Sequence, residues 1–439
     1  MTTARRKLSF LPALLYLALL FGLPGVPSFA LAQSNPWTVY ETIPTFTSGN
    51  SHVLWVKSGT TDTSGHYSGD TASIWTVDVN GNEMAISPTY GPYPGWHAYT
   101  LTPTFDGTLR MAWTQNTGTG ADGFSSILSL WTLDGTGNRV AVSPTYGPYT
   151  GWQFFEDFTN PDGTTALFWA KSKSDTGAAL DGSQISIWTV DSVGSRLSIS
   201  PTYGPYSGWY FYGALPSFNK DGTWFLSWVT QGTYDNNNNY SGDQLSLWKT
   251  DGRGNRTSVS PTYGPYSGWQ FNELYPAFDG TARLLWTQPG AASTGVGTQS
   301  GDSVSVWSVD RFGTRTAVSP TYGPYPGWTI DSIVAAPSST SRLLWVTPGT
   351  TNSSGNFSGD QASIWSLDAA NVRTSISPTY TAPGGSLTGL FVRPDGSENL
   401  SWEFGSNAGS SFNSTQFSLW DLDASNNRTV TGPIYGPYF

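Results

Sequence analysis

The stretch SVSVWSVDRFGTRTAVSPTYGPYPGW, from Ser303 to Trp328, is one copy of a pattern that recurs along the chain. Three landmarks mark each copy: a Trp in a segment such as LLW, a Trp in a segment such as SVWSVD, and the Tyr of SPTY or its equivalent. The first Trp stands at 55, 113, 169, 228, 286, 345 and 402, the second at 75, 131, 188, 248, 307, 365 and 420, and the Tyr at 90, 146, 203, 263, 322, 380 and 435. Each landmark therefore occurs seven times, and the repeat unit is about 58 residues long.

Each unit contains four short segments rich in β-branched and aromatic residues, which predicts four β-strands. In the fifth unit these segments are QFNELYPAF, TARLLWT, SVSVWSVD and TRTAVSPTY. An Asp-Gly pair, typical of a hairpin turn, separates the first two strands in five units. The pairs are Asp106-Gly107, Asp162-Gly163, Asp221-Gly222, Asp279-Gly280 and Asp395-Gly396.

The turn between the third and fourth strands carries a second regularity. An Asp is followed five residues later by an Arg in six units, a spacing that suits an ion pair across a tight turn and that steadies a hairpin only weakly. The pairs are Asp134/Arg139, Asp191/Arg196, Asp251/Arg256, Asp310/Arg315, Asp368/Arg373 and Asp423/Arg428.

Seven units of four antiparallel strands, with no helical periodicity over residues 33–439, predict an all-β fold: a seven-bladed β-propeller of four-stranded antiparallel blades. An open β-solenoid is the alternative, but an open array needs atypical capping units and a ring does not. The first unit begins with SNPW, without YGPY before it, and the last ends with PIYGPYF, without Trp after it. These complementary halves predict that the termini meet at the ring seam, with Tyr438 close to Trp37.

The first 32 residues have the layout of a secretory signal peptide. Arg5, Arg6 and Lys7 precede the apolar run Leu8 to Leu20, and Ala30-Leu31-Ala32 offers a cleavage site. We therefore expect a signal peptide over residues 1–32, a propeller over residues 33–439, and a secreted protein, extracellular or at the cell surface, without a membrane span after cleavage. An uncleaved membrane anchor is the alternative.

The charge and amino-acid composition limit which binding partners are expected. Residues 33–439 carry 17 Lys and Arg against 30 Asp and Glu, which disfavours nucleic acid and anionic membranes as partners. The absence of Cys excludes disulfides and thiolate chemistry, so stability must come from packing, for which the chain has 21 Trp, 22 Tyr and 22 Phe. We expect a monomer.

One face of the ring is predicted to bind ligand. Because strands alternate in direction, the loops between second and third strands and the linkers between blades emerge on the same face. These loops are long and polar, for example QGTYDNNNNYSGD, and long loops on a rigid scaffold commonly bind ligands. The linker pattern PTYGPYxGW places aromatic rings on that face, and a ring beside hydrogen-bonding groups suits a sugar.

We therefore predict glycan sites in the grooves between blades. The aromatic candidates are Tyr90, Tyr93, Trp96, Tyr146, Tyr149, Trp152, Tyr203, Tyr206, Trp209, Tyr263, Tyr266, Trp269, Tyr322, Tyr325 and Trp328. The carboxylate candidates are Asp70, Asp181, Asp243, Asp302 and Asp360. The alternative is that the rings are wedges that cement neighbouring blades. The linker into the seventh unit, YTAPGGSLTGLF, lacks the second Tyr and the Trp, which leaves up to six comparable grooves.

Signals for chemistry are weaker. His52, His66 and His97 occupy no repeated position, and no nucleophile motif accompanies them. The first strands carry acids that could converge on a central channel, as glycoside hydrolysis needs: Glu41, Glu156, Asp157, Glu273 and Asp331. DVNGNE and DNNNN offer oxygen ligands for Ca²⁺ without EF-hand spacing. No catalytic residue, metal site or cofactor is assigned from these signals.

The motifs YGPYxGW, LLW and SLWxxD, which cover all of residues 33–439, resemble those of secreted bacterial tandem-repeat β-propeller proteins. One Trp-rich unit per blade is also similar to tachylectin- and tectonin-like propeller lectins. The resemblance implies sugar sites between or on the blades. The sequence thus predicts a secreted, multivalent carbohydrate-binding propeller with glycans or cell-surface proteins as partners. A non-catalytic protein-interaction scaffold on the cell surface and a hydrolase with channel carboxylates stay open as alternatives.

Overall fold

A computed structural model describes most of the chain. The described residues are 37–45, 49–117, 125–171, 183–216, 222–237, 239–277, 279–290, 301–337, 339–354, 356–393, 396–405 and 414–436. The predicted signal peptide, Asp181 and Tyr438 lie outside these ranges.

The described residues form seven antiparallel sheets, one for each repeat unit. The strands of the first four blades are β1 (Thr38–Pro44), β2 (Ser51–Lys57), β3 (Thr71–Val77) and β4 (Glu83–Ile86); β5 (His97–Pro103), β6 (Leu109–Thr117), β7 (Ser125–Leu133) and β8 (Arg139–Val142); β9 (Gln153–Thr159), β10 (Thr165–Lys171), β11 (Gln184–Val190) and β12 (Arg196–Ile199); β13 (Tyr210–Pro216), β14 (Trp224–Thr230), β15 (Gln244–Thr250) and β16 (Arg256–Val259). Those of the last three are β17 (Gln270–Pro276), β18 (Ala282–Gln288), β19 (Ser303–Val309) and β20 (Arg315–Val318); β21 (Thr329–Ala335), β22 (Ser341–Thr347), β23 (Gln361–Leu367), β24 (Arg373–Ile376) and β25 (Tyr380–Thr381); β26 (Gly385–Val392), β27 (Glu398–Gly405), β28 (Ser414–Leu422) and β29 (Arg428–Thr431).

The blades form a closed ring, and the predicted seven-bladed propeller is confirmed. Each blade pairs its strands in chain order, with β25 as a short addition to the sixth blade. The first strand of every blade contacts the first strand of the next, and β26 of the last blade contacts β1. No helix occurs among the described residues, and none there could cross a membrane.

The seam between the last and first blades is packed like the other junctions. Tyr435 stacks edge-on against Trp75, with ring centres 5.7 Å apart. Arg393 donates to the carbonyl of Val79 at 3.2 Å, and Phe417 lies in one buried cluster with residues of the first blade. Trp37 packs against that cluster. The predicted contact between Tyr438 and Trp37 lies outside the described residues, but the blades on either side are joined.

The two landmark tryptophans of each repeat unit lie together at the centre of its blade. The Trp of the second strand and the Trp of the third strand are buried, with ring centres 5.0 Å apart in the last blade and 5.3 Å apart in the second. Second and third strands are buried on both sides because neighbouring blades cover them, whereas the fourth strand is mostly exposed.

The turn between third and fourth strands differs from the predicted ion pair. Asp134 accepts hydrogen bonds from the backbone N–H groups of Thr136 and Asn138, both at 2.9 Å. The Arg139 guanidinium lies 4.6 Å from the centre of the Trp131 ring, a cation–π contact. The other five Arg residues lie over the matching Trp in the same way. Among the described residues no ion pair joins the six Asp and Arg partners, because the carboxylate satisfies the turn's amides instead.

Candidate functional site

The long loops share one face of the ring, called the loop face below: it carries the loops between second and third strands and the linkers between blades. The described loops of the first, fourth and sixth blades have the same conformation. One bridge closes each of them, joining Thr61 with Tyr67, Tyr234 with Tyr240, and Thr351 with Phe357. An Asp or Asn then caps two backbone amides within each loop, as Asp235 does for Asn237 and Asn239 at 2.8 Å. Hydrogen bonds within each loop, from its backbone and from its capping side chain, therefore hold the loop in this conformation.

The carboxylate that ends each of these loops joins two blades. Asp243 is 4% exposed. One of its oxygens accepts the N–H of Gly232 at 3.0 Å and the hydroxyl of Tyr240, and the other accepts the N–H of Phe271 in the next blade at 2.8 Å. Asp70, Asp302 and Asp360 make the matching pair of backbone contacts. In four of the predicted ligand-binding carboxylates, both oxygens therefore already accept hydrogen bonds from backbone N–H groups.

The glycine before this Asp is required by a close approach of the backbone. Gly242 has φ of +94°, and a Cβ there would lie 1.9 Å from the carbonyl oxygen of Tyr266. Only glycine adopts this conformation without a clash. The repeated Gly-Asp pair is therefore explained by the junction between loop and linker.

Asp181, the fifth carboxylate candidate, lies outside the described residues. The strand register assigns a different residue to the position of Asp243: Ile185 pairs with Tyr203 as Leu245 pairs with Tyr263. Counting back two residues from Ile185 gives Ser183. The third blade thus has a serine where four other blades have the aspartate.

The first Tyr of each linker is buried and holds the next blade. Tyr203 is 8% exposed, its hydroxyl donates to the carbonyl of Gly254 at 2.8 Å, and it accepts the N–H of Arg256 at 2.8 Å. Tyr90, Tyr146, Tyr263 and Tyr322 make the same donation to the following blade. Burial raises the pKa of these hydroxyls above its ordinary value, so they stay protonated at neutral pH.

The second Tyr and the Trp of each linker are half-buried. Tyr266 packs edge-on against both tryptophans of the next blade, with ring centres 5.5 Å from Trp286 and 5.2 Å from Trp307. Tyr93, Tyr149, Tyr206 and Tyr325 are placed alike. Trp96, Trp152, Trp209, Trp269 and Trp328 pack against the same cores. These rings pack against the blade cores, and part of the surface of each ring stays exposed on the loop face.

A groove opens on the loop face between the fourth and fifth blades. Its volume is about 380 Å³. Its lining includes Tyr210 and Tyr212 of β13, Tyr234 and Tyr240 of the following loop, and Gln270 of the fifth blade. Sequence reasoning missed Tyr210, Tyr212 and Tyr234 because it followed repeated positions; the available signal was an isolated aromatic residue inside a polar loop, in QGTYDNNNNYSGD.

The first strands carry the predicted channel acids, and several of these acids contact a neighbouring blade. Glu41 accepts the N–H of Leu101 at 2.8 Å, and Glu273 accepts the N–H of Ile333 at 3.2 Å. Asp157 accepts the hydroxyl of Thr100 at 2.6 Å, and burial raises its pKa to about 6. Within the described ranges, no three His, Asp or Glu side chains gather as a metal site would require.

The three histidines have different surroundings. His52 is buried, which lowers its pKa to about 4. His97 stacks on Tyr67 with ring centres 4.2 Å apart, and its Nδ1 is 3.6 Å from Asp70. His66 is exposed beside Asp62. Of the predicted Ca²⁺-ligand segments, Asp78 and Asp235 already accept backbone amides of their own turns.

Comparison with known proteins gives no family: no family model and no curated protein matches the chain. Solved structures resemble it distantly. A prolyl endopeptidase matches with a TM-score of 0.49 and 11% identity over 92% of this chain and 50% of that chain, so this chain spans half the length of that enzyme. The polysaccharide lyase Uly1 matches with a TM-score of 0.47 and 12% identity over 90% of each chain. An apocarotenoid oxygenase variant of Synechocystis matches with a TM-score of 0.44 and 11% identity over 92% of this chain and 94% of that chain. Similarities this distant carry no functional argument, and the fold rests on this chain's own strand pairing.

Proposed function

We propose that this protein is a secreted, multivalent carbohydrate-binding propeller that binds glycans on its loop face. The observation that carries the proposal is the groove between the fourth and fifth blades, where the ring of Tyr234, 63% exposed, lies beside the side chain of Gln270. An exposed aromatic ring offers a flat apolar surface to one face of a pyranose, and neighbouring amides match its hydroxyl groups.

Repetition supports multivalency. The same loop conformation recurs in the first, fourth and sixth blades, and half-buried linker rings recur at five junctions. Weak sites arranged around one rigid ring bind a polymeric ligand with higher avidity than any single site. A glycan on a cell surface or in a polysaccharide is such a polymer.

A glycan array with the purified protein tests the proposal. We expect binding to a restricted set of glycans, competed by the same sugars in free form, and weakened when Trp269 and its counterparts in the other linkers are replaced by alanine. Failure to bind any glycan would remove the proposal. Because secretion is part of it, the N-terminus of the exported protein should be Gln33, which mass spectrometry of the culture medium would establish.

A protein-interaction scaffold is a second candidate, supported by the outer strands. Each of the first three blades exposes two large apolar side chains on its outermost strand, whereas β16, β20 and β24 each expose one. The six residues are Met84 and Ile86, Val140 and Val142, and Leu197 and Ile199. Binding of a cell-surface partner at these strands would be lost in a Val140→Lys, Leu197→Lys double variant. Free sugars would not compete with that binding. Glycan binding through the loop face would persist in that variant.

The hydrolase alternative has its own test. Glycans selected by the array would be incubated with the protein and analysed by chromatography for shortened products. We expect none. If products form and disappear in a Glu156→Gln, Glu273→Gln double variant, the channel acids perform hydrolysis.

A further inference from the structure

We infer that the groove between the fourth and fifth blades, defined by Tyr234, Gln231, Gln270 and Asn272, is the principal ligand site and takes an uncharged oligosaccharide. This inference rests on the proposed carbohydrate-binding function and assigns that function to one groove and one ligand class. The groove combines an exposed aromatic ring with a set of side-chain amides, and the one charged side chain in its described lining is already hydrogen-bonded to backbone amides.

The platform is Tyr234. Its ring is exposed, lies 4.8 Å from the ring of Tyr240 and is inclined to it by 44°. The matching positions in the loops of the first and sixth blades are Thr61 and Thr351, which close the same bridge. The loop therefore folds without an aromatic side chain at this position, and folding does not explain the exposed ring.

The amides come from both walls of the groove. Gln231 precedes the loop, and Gln270 and Asn272 lie on β17 of the next blade. Gln270 Nε2 lies 3.4 Å from the hydroxyl of Tyr234, which links the platform to the opposite wall. Carboxamides both donate and accept hydrogen bonds, as sugar hydroxyls do.

The two equivalent grooves beside the described loops of the first and sixth blades lack this set. From the strand register, the counterparts of Gln231, Gln270 and Asn272 are Ser58, His97 and Tyr99 at the first junction, and Pro348, Ser386 and Thr388 at the sixth. Among these described junctions, only that between the fourth and fifth blades combines an exposed ring with three amides.

The charge of the groove points to a neutral ligand. Within the described lining of the groove, Asp243 is the one charged side chain, and each of its oxygens accepts a hydrogen bond from a backbone N–H group. Burial raises the pKa of Tyr210 and Tyr240, so both hydroxyls stay neutral at physiological pH. Among the described residues that line the groove there is no Lys, Arg or His to pair with a uronate or sialate. Its volume of about 380 Å³ lies in the range of small-ligand sites.

Isothermal titration of the full-length protein tests this inference. The neutral probes are cellotetraose, mannotetraose and tetra-N-acetylchitotetraose, and the anionic probe is tetragalacturonate. We expect one neutral probe to bind and tetragalacturonate to bind at least tenfold more weakly. Tyr234→Ala should weaken the tightest site about tenfold, and Gln270→Ala roughly fivefold. The matched control Thr351→Ala changes the equivalent position of the sixth blade and should leave the tightest site unchanged.

The outcomes separate the two proposals. If the wild type binds a neutral probe and Tyr234→Ala binds it equally well, the groove is not the principal site, while carbohydrate binding stands. If tetragalacturonate binds most tightly, the assignment to neutral sugars is overturned. If neither these probes nor the glycan array gives binding, the proposed function itself fails. Because Tyr234 is exposed, circular dichroism and the melting temperature of Tyr234→Ala should match the wild type, which excludes loss of folding as the cause.

Discussion

The hydroxyl of Tyr435 donates a hydrogen bond of 2.6 Å to the carbonyl oxygen of Gly81, which lies 354 positions earlier in the sequence. The N–H of Glu83 donates back to the same hydroxyl at 2.7 Å. Tyr203 makes the same two contacts to Gly254 and Arg256 within the ring. The last blade is therefore joined to the first by the same pair of hydrogen bonds that joins neighbouring blades elsewhere in the ring.

Tyr435→Phe should destabilise the protein as much as Tyr203→Phe does. Each change removes one hydroxyl and leaves a carbonyl and an N–H without that partner, at a cost of about 1–2 kcal/mol. Urea unfolding followed by tryptophan fluorescence would measure both. A normal midpoint for Tyr435→Phe beside a lowered midpoint for Tyr203→Phe would show that the seam does not contribute to stability.

Asp243→Ala should be much more harmful than Asp235→Ala. The first change leaves the N–H groups of Gly232 and Phe271 without an acceptor, and Phe271 is buried, so we expect a loss of roughly 2–4 kcal/mol. The second change removes an exposed cap within the same loop and should cost about 1 kcal/mol or less. Equal losses of stability in thermal unfolding would contradict the role of Asp243 in joining two blades.

Arg139 should be energetically coupled to Trp131 and not to Asp134. A double-mutant cycle with Arg139→Gln and Trp131→Leu should give about 0.5–1 kcal/mol of coupling, since the guanidinium lies over the indole. The matched cycle with Arg139→Gln and Asp134→Asn should give less than about 0.5 kcal/mol. A larger coupling in the second cycle would restore the ion pair that the sequence spacing suggests.

Asp157 should make stability fall as pH rises. Burial raises the pKa of this carboxyl from 3.8 to about 6 in the folded protein, so between these values the folded state holds a proton that the unfolded state has released. Stability is then lost as pH rises from about 4 through 6, by up to roughly 3 kcal/mol.

The Asp157→Asn variant isolates this effect, because an amide stays neutral at every pH. We expect the variant to match the wild type near pH 4 and to exceed it at pH 7 in free energy of unfolding. His52 acts in the opposite direction, since burial lowers its pKa to about 4, but it is present in both proteins and cancels in the difference. A difference that does not grow with pH would contradict the raised pKa of Asp157.

Repetition explains why the fold could be predicted. Seven copies of two tryptophans and a tyrosine predict a ring of seven blades, and every one of those tryptophans lies buried in a blade core. The Asp-Gly turns were also readable: Gly107, Gly163 and Gly280 have the positive φ that such turns need.

The site was harder to predict because a repeated polar residue can serve either a ligand or the backbone. Asp243 follows a glycine in a long loop, which is typical of a binding residue, yet its two oxygens accept amides from two blades. Whether the carboxylate binds a ligand or backbone amides depends on how closely the linker approaches Gly242, and sequence spacing does not reveal this distance. Asp181 illustrates a second limit: loops of unequal length shift residues that look equivalent, and only the pairing of Ile185 with Tyr203 fixes the register.

Tyr234 shows the opposite limit. The repeats drew attention to positions that recur, whereas Tyr234 has Thr61 and Thr351 as its counterparts. A residue that gives one blade a separate role differs from its counterparts in the other blades. Such a residue is therefore recognised by its exposure and its neighbours in the folded protein.

Amide hydrogen exchange, measured with and without a saturating oligosaccharide chosen from the glycan array, tests most directly whether ligand binds on the loop face. We predict slower exchange over residues 231–243 and 263–272 when the sugar is bound. The turn from Asp251 to Arg256, between the third and fourth strands of the same blade, should exchange at an unchanged rate. Slower exchange confined to such turns, with none in the loop or linker, would contradict binding on the loop face.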